Sequence, residues 1–238
     1  MHLSAPIYQL KRHARRMARE HSIPLNQALD RVAAEQGYTQ WSLLAARHEA
    51  TTPAAKLYQT MQPGDLVLVA ARPRQGKTLL ALELAAEAAR SSGKTGAFFT
   101  LEYTDKDVLV RLQAIGCDPA QFDGRLSFDC SDAICADYII EKMQDVAPSA
   151  LIVVDYLQLL DQRREHQSIG LQIRALKAFA NANRLMMVFI AQVDRSYDPT
   201  VKAIPDLDDV RLPNPLDLTL FNRTCFLHQG EIRFQTAH

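Results

Sequence analysis

An eight-residue segment, Ala71-Arg72-Pro73-Arg74-Gln75-Gly76-Lys77-Thr78, contains the residue types that bind phosphate groups. It follows an apolar run and precedes a helical pattern, the context that phosphate binding requires. Gly76 lets the backbone approach the phosphates closely, and successive N–H groups at the start of a helix attract the anion. We expect Lys77 to reach the β- and γ-phosphates and Thr78 to bind Mg²⁺. The segment therefore predicts a nucleoside triphosphate site, with ATP and Mg²⁺ as the ligands.

The segment departs from the usual phosphate-binding pattern at its start, because Ala71 stands where a first glycine is common. The competing interpretation is an ordinary strand-to-helix turn that contains Gly-Lys-Thr without binding a nucleotide. The apolar run before the segment and the helical pattern after it favour the nucleotide.

Three polar side chains, Glu102, Asp155 and Gln192, each stand at the end of another short apolar run. If those runs are parallel strands, the side chains face the crevice where such sheets bind ligands. There Asp155 can orient Mg²⁺, Glu102 can polarise the attacking water, and Gln192 can sense the γ-phosphate. We predict catalytic roles for Glu102, Lys77 and Gln192, and metal binding by Thr78 and Asp155. The alternative for each strand-end residue is a solvated or helix-capping role.

Two clusters of basic residues are candidates for contact with nucleic-acid phosphates. One lies on a face of the first predicted helix, and the other follows Asp155 in the chain. Their members are Lys11, Arg12, Arg15, Arg16 and Arg19 in the first, and Arg163 and Arg164 in the second. A solvated helix face and a surface loop are the alternatives. The chain as a whole favours neither interpretation, since its 27 basic and 27 acidic residues balance.

From about residue 62 onward, apolar runs alternate with helical patterns, which predicts a parallel sheet with helices on both faces. The predicted strands are 66–70, 97–101, 126–128, 151–154 and 186–191, and the predicted helices are 77–91, 105–115, 136–146 and 169–183. Gln229-Gly230, between two further short runs at 224–227 and 231–234, predicts an antiparallel hairpin. The predicted fold class is α/β, with a mostly parallel sheet flanked by helices and a C-terminal β-hairpin.

The first part of the chain has a different pattern and predicts a small all-α domain ahead of the sheet. Residues 1–50 predict three short helices around Trp41, residues 51–61 predict a linker, and residues 62–238 predict the larger domain. None of the 238 residues belongs to an apolar stretch long enough to span a bilayer. We expect a cytoplasmic protein that does not enter a membrane and keeps its four cysteines reduced.

Several segments, in their order along the chain, resemble the ATPase domain of the DnaB replicative helicases, which belong to the RecA-like P-loop ATPases. The resemblance spans about residues 62–222. The similar segments are Gly64-Asp65-Leu66 with the phosphate-binding segment, Thr100-Leu101-Glu102, Val154-Asp155-Tyr156-Leu157-Gln158-Leu159, the helix 169–180, and Ala191-Gln192-Val193-Asp194-Arg195-Ser196. The second of these resembles the strand that ends in the family's catalytic glutamate, and the third its Mg²⁺-binding strand. The last resembles its sensor segment, with Asp194 where an asparagine is usual.

The resemblance implies a RecA-like fold, ATP hydrolysis, and single-stranded DNA as the partner. It also implies a homo-oligomer, because the family's subunits form hexameric rings with the nucleotide site between neighbours. One departure concerns the arginine finger, since the family's later Lys-x-Arg segment has no match here. Arg211 and Arg223 are the remaining candidates for that role. The family's large N-terminal helical domain has no counterpart either, because residues 1–50 are too short to form it.

Three functions remain open from the sequence. The first is an ATP-hydrolysing, DnaB-like helicase-type protein that acts on single-stranded DNA in replication or in plasmid or phage DNA metabolism. The second is a nucleotide-dependent switch or accessory replication factor with little hydrolysis, which the missing arginine finger favours. The third is a DNA-binding protein without enzymatic activity, which the basic first helix would hold on DNA.

Overall fold

A seven-stranded sheet forms the centre of the molecule. The computed structural model describes residues 4–5, 7–90, 94–161, 167–212 and 214–236. The strands are β1 (Leu66–Ala71), β2 (Gly96–Thr100), β3 (Leu126–Asp129), β4 (Leu151–Asp155), β5 (Met186–Gln192), β6 (Arg223–His228) and β7 (Glu231–Thr236). Their order across the sheet is β3-β2-β4-β5-β1-β6-β7, and every neighbouring pair is parallel except β6 and β7.

Helices cover both faces of this sheet, because successive side chains of a buried strand point to opposite sides. In β1, Leu66 and Leu68 face one apolar layer, while Val67 and Val69 face the other. The helices are α1 (Ile7–Glu20), α2 (Leu25–Glu35), α3 (Trp41–Thr51), α4 (Pro53–Thr60), α5 (Lys77–Arg90), α6 (Asp105–Ala114), α7 (Ala136–Met143) and α8 (Ile169–Asn183). Helices α4, α5 and α6 pack on one face, and α7 and α8 on the other. The predicted α/β fold class is confirmed.

Two local features position the helices around the strand ends. At the start of α6, the Thr104 hydroxyl accepts the N–H of Asp107, and the Asp107 carboxylate accepts the N–H of Thr104. This capping box satisfies backbone donors that a helix start leaves unpaired. Helix α5 approaches β2 so closely that a Cβ atom on Gly96 would lie 1.9 Å from the carbonyl oxygen of Ala85. The sheet can therefore hold α5 at this distance only with glycine at position 96.

The small all-α part predicted ahead of the sheet is present. Helices α1 and α2 pack around Leu10, Ala14, Ala28 and Val32, and Trp41 at the start of α3 is half-buried against this cluster. Such a small cluster buries little apolar surface. The division of the chain into two domains stays a prediction.

The prediction of a linker over residues 51–61 needs correction, because most of that segment is helix α4. The Thr52 hydroxyl accepts the N–H of Ala55 at 3.1 Å, which caps the helix start. Pro53 occupies the first helical position, where its missing N–H costs nothing. The side chains buried in the core beneath α4 are Ala54, Ala55 and Leu57. This segment is a packed element of the core and not a free connection.

The other predicted elements agree with the structure to within a residue or two at their ends, except α7. That helix ends at Met143 instead of residue 146, and the Val146 N–H donates to the carbonyl of Met143 in a closing turn. Pro148 follows, and a proline disfavours helical geometry in the residue before it. Among the described residues, no helix combines the length and the apolar character needed to cross a membrane.

Candidate functional site

Four neighbouring parallel strands bring the predicted site residues to one edge of the sheet. Across the ladders Thr100 pairs with Asp155, Asp155 with Ile190, and Ala71 with Gln192. The carboxyl ends of β2, β4, β5 and β1 therefore lie side by side, and we call this region the carboxyl edge. Glu102, Asp155, Gln192 and the segment after β1 are all found there. This is the position at which open parallel sheets bind their ligands.

The segment after β1, which we call the phosphate loop (residues 72–76), links β1 directly to the start of α5. Arg74 and Gly76 have φ angles of 65° and 84°, both in the left-handed region that favours glycine. Between them, the side-chain oxygen of Gln75 accepts the backbone N–H of Gln229 at 2.7 Å. The turn between β6 and β7 thus contacts the loop. The loop ends at a helix N-terminus, where backbone N–H groups favour an anion.

Lys77 and Thr78 are buried in the first turn of α5, beside the end of β4. The Lys77 ammonium nitrogen lies 5.9 Å from the centroid of the Tyr156 ring, within the range of a cation–π interaction. Tyr156 directly follows Asp155, so the lysine side chain extends from the phosphate loop towards the end of β4. This position suits a cation that contacts the far phosphates of a bound triphosphate.

Asp155 has 1% of its surface exposed, and neither carboxylate oxygen has a hydrogen-bond partner of ordinary geometry among the described residues. Burial raises the pKa of Asp155 to about 6, while the charge of Lys77 and the hydroxyl of Thr78 act in the opposite direction. A buried carboxylate with unused acceptors is unfavourable unless something binds it. Carboxylate and hydroxyl oxygens are ligands suited to Mg²⁺. The two residues therefore fit the ion that the sequence implied.

Glu102 lies two residues beyond the end of β2 and is exposed to solvent. Its N–H donates to the buried hydroxyl of Thr100 at 3.1 Å, and this bond holds the bend after the strand. Burial is the main cause of the raised pKa of Tyr156, and the charge of Glu102 adds to it. An open depression of about 400 Å³ adjoins Glu102 and Tyr103. Glu102 is thus close to the end of β4 and accessible to water.

Gln192 ends β5 with a half-buried side chain. Its carbonyl accepts the N–H of Arg211 at 2.8 Å, and Val193 and Val210 form an antiparallel bridge. The carbonyl of Arg211 in turn accepts a 2.6 Å hydrogen bond from the side chain of Gln158, beyond the end of β4. The end of β5 is therefore hydrogen-bonded to the segment that carries Arg211, and that segment is hydrogen-bonded to Gln158 in turn.

The basic cluster of the first helix is not part of this edge. Lys11 lines a cleft with Glu83, Glu87 and Arg90, which lie from the middle of α5 to its end, whereas the phosphate loop precedes the first turn of that helix. In the same cluster Arg12, Arg15, Arg16 and Arg19 are exposed on α1. Arg163 and Arg164 lie outside the described residues.

The two arginines considered for the finger occupy opposite ends of the sheet. Arg223 begins β6, and its Nε donates to the Asp65 carboxylate at 2.8 Å, before the start of β1. Both residues lie at the edge of the sheet opposite the phosphate loop. Arg223 is therefore not part of the candidate nucleotide site of its own chain. Arg211 is exposed, and its backbone hydrogen bonds with Gln192 and Gln158 place it at the carboxyl edge.

A further arginine near the site was not predicted from the sequence. The Arg111 guanidinium, on α6, lies 3.8 Å from the centroid of the Tyr103 ring, and Tyr103 directly follows Glu102. The only sequence signal is a basic residue in the helix after the glutamate, and many solvated helices share that pattern. The contact depends on the turn that connects β2 to α6.

Comparisons with known proteins relate most of the chain to one family. The family model for the DnaB-like helicase C terminal domain matches residues 53–118 and 125–215, which include every predicted site residue of the carboxyl edge. The replicative DNA helicase DnaB of Leifsonia xyli subsp. xyli is 26% identical over 190 residues, and that of Pasteurella multocida is 27% identical over 198. The alignments cover 67% and 68% of this chain and 42% of each relative. The chain therefore spans less than half the length of these relatives.

Two solved structures support the fold. A DnaB-like replicative helicase, described with its interactions with primase, has a TM-score of 0.59 at 19% identity and covers 94% of this chain and 67% of its own. A second structure, described as an ATPase domain, has a TM-score of 0.57 at 20% identity and covers 79% of this chain and 81% of its own. The RecA-like arrangement that the sequence resemblance implied is confirmed.

Proposed function

The chain belongs to the DnaB-like helicase C-terminal domain family, and we propose on this premise that it binds and hydrolyses ATP at the carboxyl edge. The observation that carries the proposal is the convergence of the phosphate loop, Glu102, Asp155 and Gln192 at the ends of four neighbouring strands. Such a set supplies phosphate binding, metal binding and water activation in one crevice.

In the proposed reaction the phosphate loop holds the triphosphate, and Lys77 contacts its β- and γ-phosphates. Thr78 and Asp155 would hold Mg²⁺, which neutralises charge on the phosphates. Glu102 accepts a hydrogen bond from the attacking water and orients it towards the γ-phosphate. Gln192 donates a hydrogen bond to the same phosphate and connects its presence, through Arg211, to the segment beyond β5.

Single-stranded DNA is the proposed partner, and a ring of identical subunits is the proposed assembly. Both are suggested by family membership and by relatives that bear the name replicative DNA helicase. The exposed arginines of α1 are the described candidates for contact with DNA phosphates. Arg163 and Arg164 are proposed for the same role from the sequence alone.

A nucleotide-dependent switch with slow hydrolysis is the second candidate function. It is favoured by the 2.8 Å ion pair of Arg223 with Asp65, which engages one of the two arginines considered for the finger. A finger contributes orders of magnitude to turnover in related phosphoryl-transfer enzymes. A chain without one would bind ATP and change state with little turnover.

Phosphate release from ATP and Mg²⁺, with and without single-stranded DNA, separates the two functions. For an ATPase we expect release by the native chain, faster with DNA, and a loss of at least about a hundredfold in Glu102→Gln. Because the amide keeps the size of the side chain, ATP binding should persist in this variant. ATP binding by the native chain without phosphate release under either condition would instead establish the switch.

A further inference from the structure

The stack of Tyr103 and Arg111 is the strongest feature near the site that the proposed mechanism does not use. The guanidinium carbon lies 3.8 Å from the ring centroid, close enough for a flat cation–π stack. One guanidinium nitrogen also donates to the carbonyl of Asp107 at 3.1 Å. Two contacts therefore fix the position of a long side chain that would otherwise be free to move.

The stack is directed towards the carboxyl edge. Helix α6 begins after Thr104, two residues beyond Glu102, so its N-terminus lies at the end of β2. Long side chains in helices lean back towards the N-terminus, and the hydrogen bond to Asp107, four residues earlier, shows Arg111 doing so. Asp155 ends β4, which lies between β2, the strand before Arg111, and the β5–β1 pair, which precedes Lys77. The charges of both cations act to lower the pKa of Asp155.

Arg111 has no carboxylate within ion-pair distance among the described residues. The nearest acid on its own helix, Asp107, is already used in the capping box with Thr104. An arginine carries five N–H donors, and only one has an acceptor in the part of the chain that the structure describes. A half-buried cation with free donors near the end of β2 has the chemistry of an anion ligand.

We propose that Arg111, held flat by Tyr103, binds the γ-phosphate of the nucleotide on its own chain. The inference rests on the proposed function, since it requires a triphosphate in the phosphate loop. It assigns to α6 a cation that recognises ATP in preference to ADP without any residue from a neighbouring subunit.

The test compares the affinities of the 238-residue chain for a non-hydrolysable ATP analogue and for ADP, both with Mg²⁺. We expect Arg111→Ala to weaken binding of the analogue about tenfold or more, because a hydrogen bond to a charged group is lost. The affinity for ADP should stay within about twofold of the native value. Arg111→Lys should fall between, because it keeps the charge and loses the planar stack. Lys106→Ala, which removes an exposed cation of the same helix, is the matched control and should change neither affinity.

Variants of Tyr103 test the role of the stack separately. Tyr103→Phe should bind both nucleotides as the native chain does, and Tyr103→Leu should lose part of the preference for the analogue. Equal weakening of ATP analogue and ADP by Arg111→Ala, or no change in either, would overturn the proposal and leave the stack a structural contact of α6. Failure of the proposed function looks different, because the native chain and Lys106→Ala would then bind neither nucleotide.

Discussion

At the scale of single residues, Asp155 shows how function and stability oppose each other. It is fully enclosed, and its carboxylate has no hydrogen-bond partner of ordinary geometry in the described part of the chain. Its pKa of about 6 lies above the ordinary value because burial disfavours the charged form. At pH 7 the group is ionised in the folded and unfolded states alike, so a raised folded pKa lowers stability there. Binding of Mg²⁺ would relieve this cost.

Asp155→Asn is therefore predicted to stabilise the free protein while removing its metal response. Near pH 7 we expect the free energy of unfolding to rise by about 1 to 3 kcal/mol, since a neutral amide is cheaper to bury. Thermal unfolding with and without Mg²⁺ and ATP measures both effects.

Asp198→Asn is the matched control. The Asp198 carboxylate accepts hydrogen bonds from the N–H and the hydroxyl of Thr200, and these bonds lower its pKa. That variant should not gain stability. If Asp155→Asn is no more stable than the native protein, burial of the Asp155 carboxylate does not lower the free energy of unfolding, and the prediction is wrong.

At the scale of elements, the contact of α5 with β2 sets the position of the phosphate-binding residues. Helix α5 starts with Lys77 and Thr78, and it rests on Gly96 through the backbone of Ala85. A displacement of this helix would move both side chains relative to Asp155. The close approach of helix and strand is thus part of the site, although Gly96 lies at the opposite end of β2.

Gly96→Ala is predicted to destabilise the fold by about 1 to 3 kcal/mol, because the added methyl group would overlap a backbone carbonyl that cannot rotate away. Denaturant unfolding measures the loss. Gly170→Ala is the control, since a Cβ atom at Gly170 in α8 meets nothing within 4 Å. Its stability should stay unchanged or rise slightly. If the two variants have the same stability, the contact of α5 with β2 accommodates a methyl group at position 96, and the prediction is wrong.

Much of this architecture follows from the sequence, for identifiable reasons. Strands buried on both faces produce unbroken apolar runs, and therefore β1, β4 and β5 were predictable nearly to the residue. Helix α4 was not predictable, because a short segment with Pro53 and two alanines is equally typical of a linker. Burial against α5 decides its conformation, and a local pattern carries no information on such packing. The Tyr103–Arg111 stack was missed for the same reason.

At the scale of the whole molecule, the nucleotide site and the basic face of α1 are separate. Lys11 of α1 lines a cleft with residues from the middle of α5 to its end, and the 14 residues of this helix extend about 20 Å from the phosphate loop. We therefore expect the exposed arginines of α1 to contact a different ligand from the phosphate loop. Any contribution to nucleic-acid binding should therefore be independent of ATP.

Simultaneous replacement of Arg12, Arg15 and Arg19 by alanine is predicted to weaken binding of single-stranded DNA without changing ATP affinity. Each lost phosphate contact reduces the slope of log affinity against log salt by about 0.7, so the slope should fall by about 2. Fluorescence anisotropy at several salt concentrations measures it.

Replacement of Lys56, Lys106 and Lys142, exposed cations outside α1, removes the same charge and is the control. Identical salt slopes for the two triple variants would assign α1 to a solvated surface. A change in ATP affinity with the α1 variant alone would contradict the separation of the two regions.

Binding of ATP with Mg²⁺ at the carboxyl edge is tested most directly by a calorimetric titration of the 238-residue chain with ATP. We expect binding in Mg²⁺, weaker binding in a chelator, and at least about tenfold weaker binding by Lys77→Ala, since we propose that this ammonium contacts the phosphates. Lys106→Ala should bind as the native chain does. Absence of binding by the native chain, or the same affinity in Lys77→Ala, would contradict a nucleotide site at the carboxyl edge.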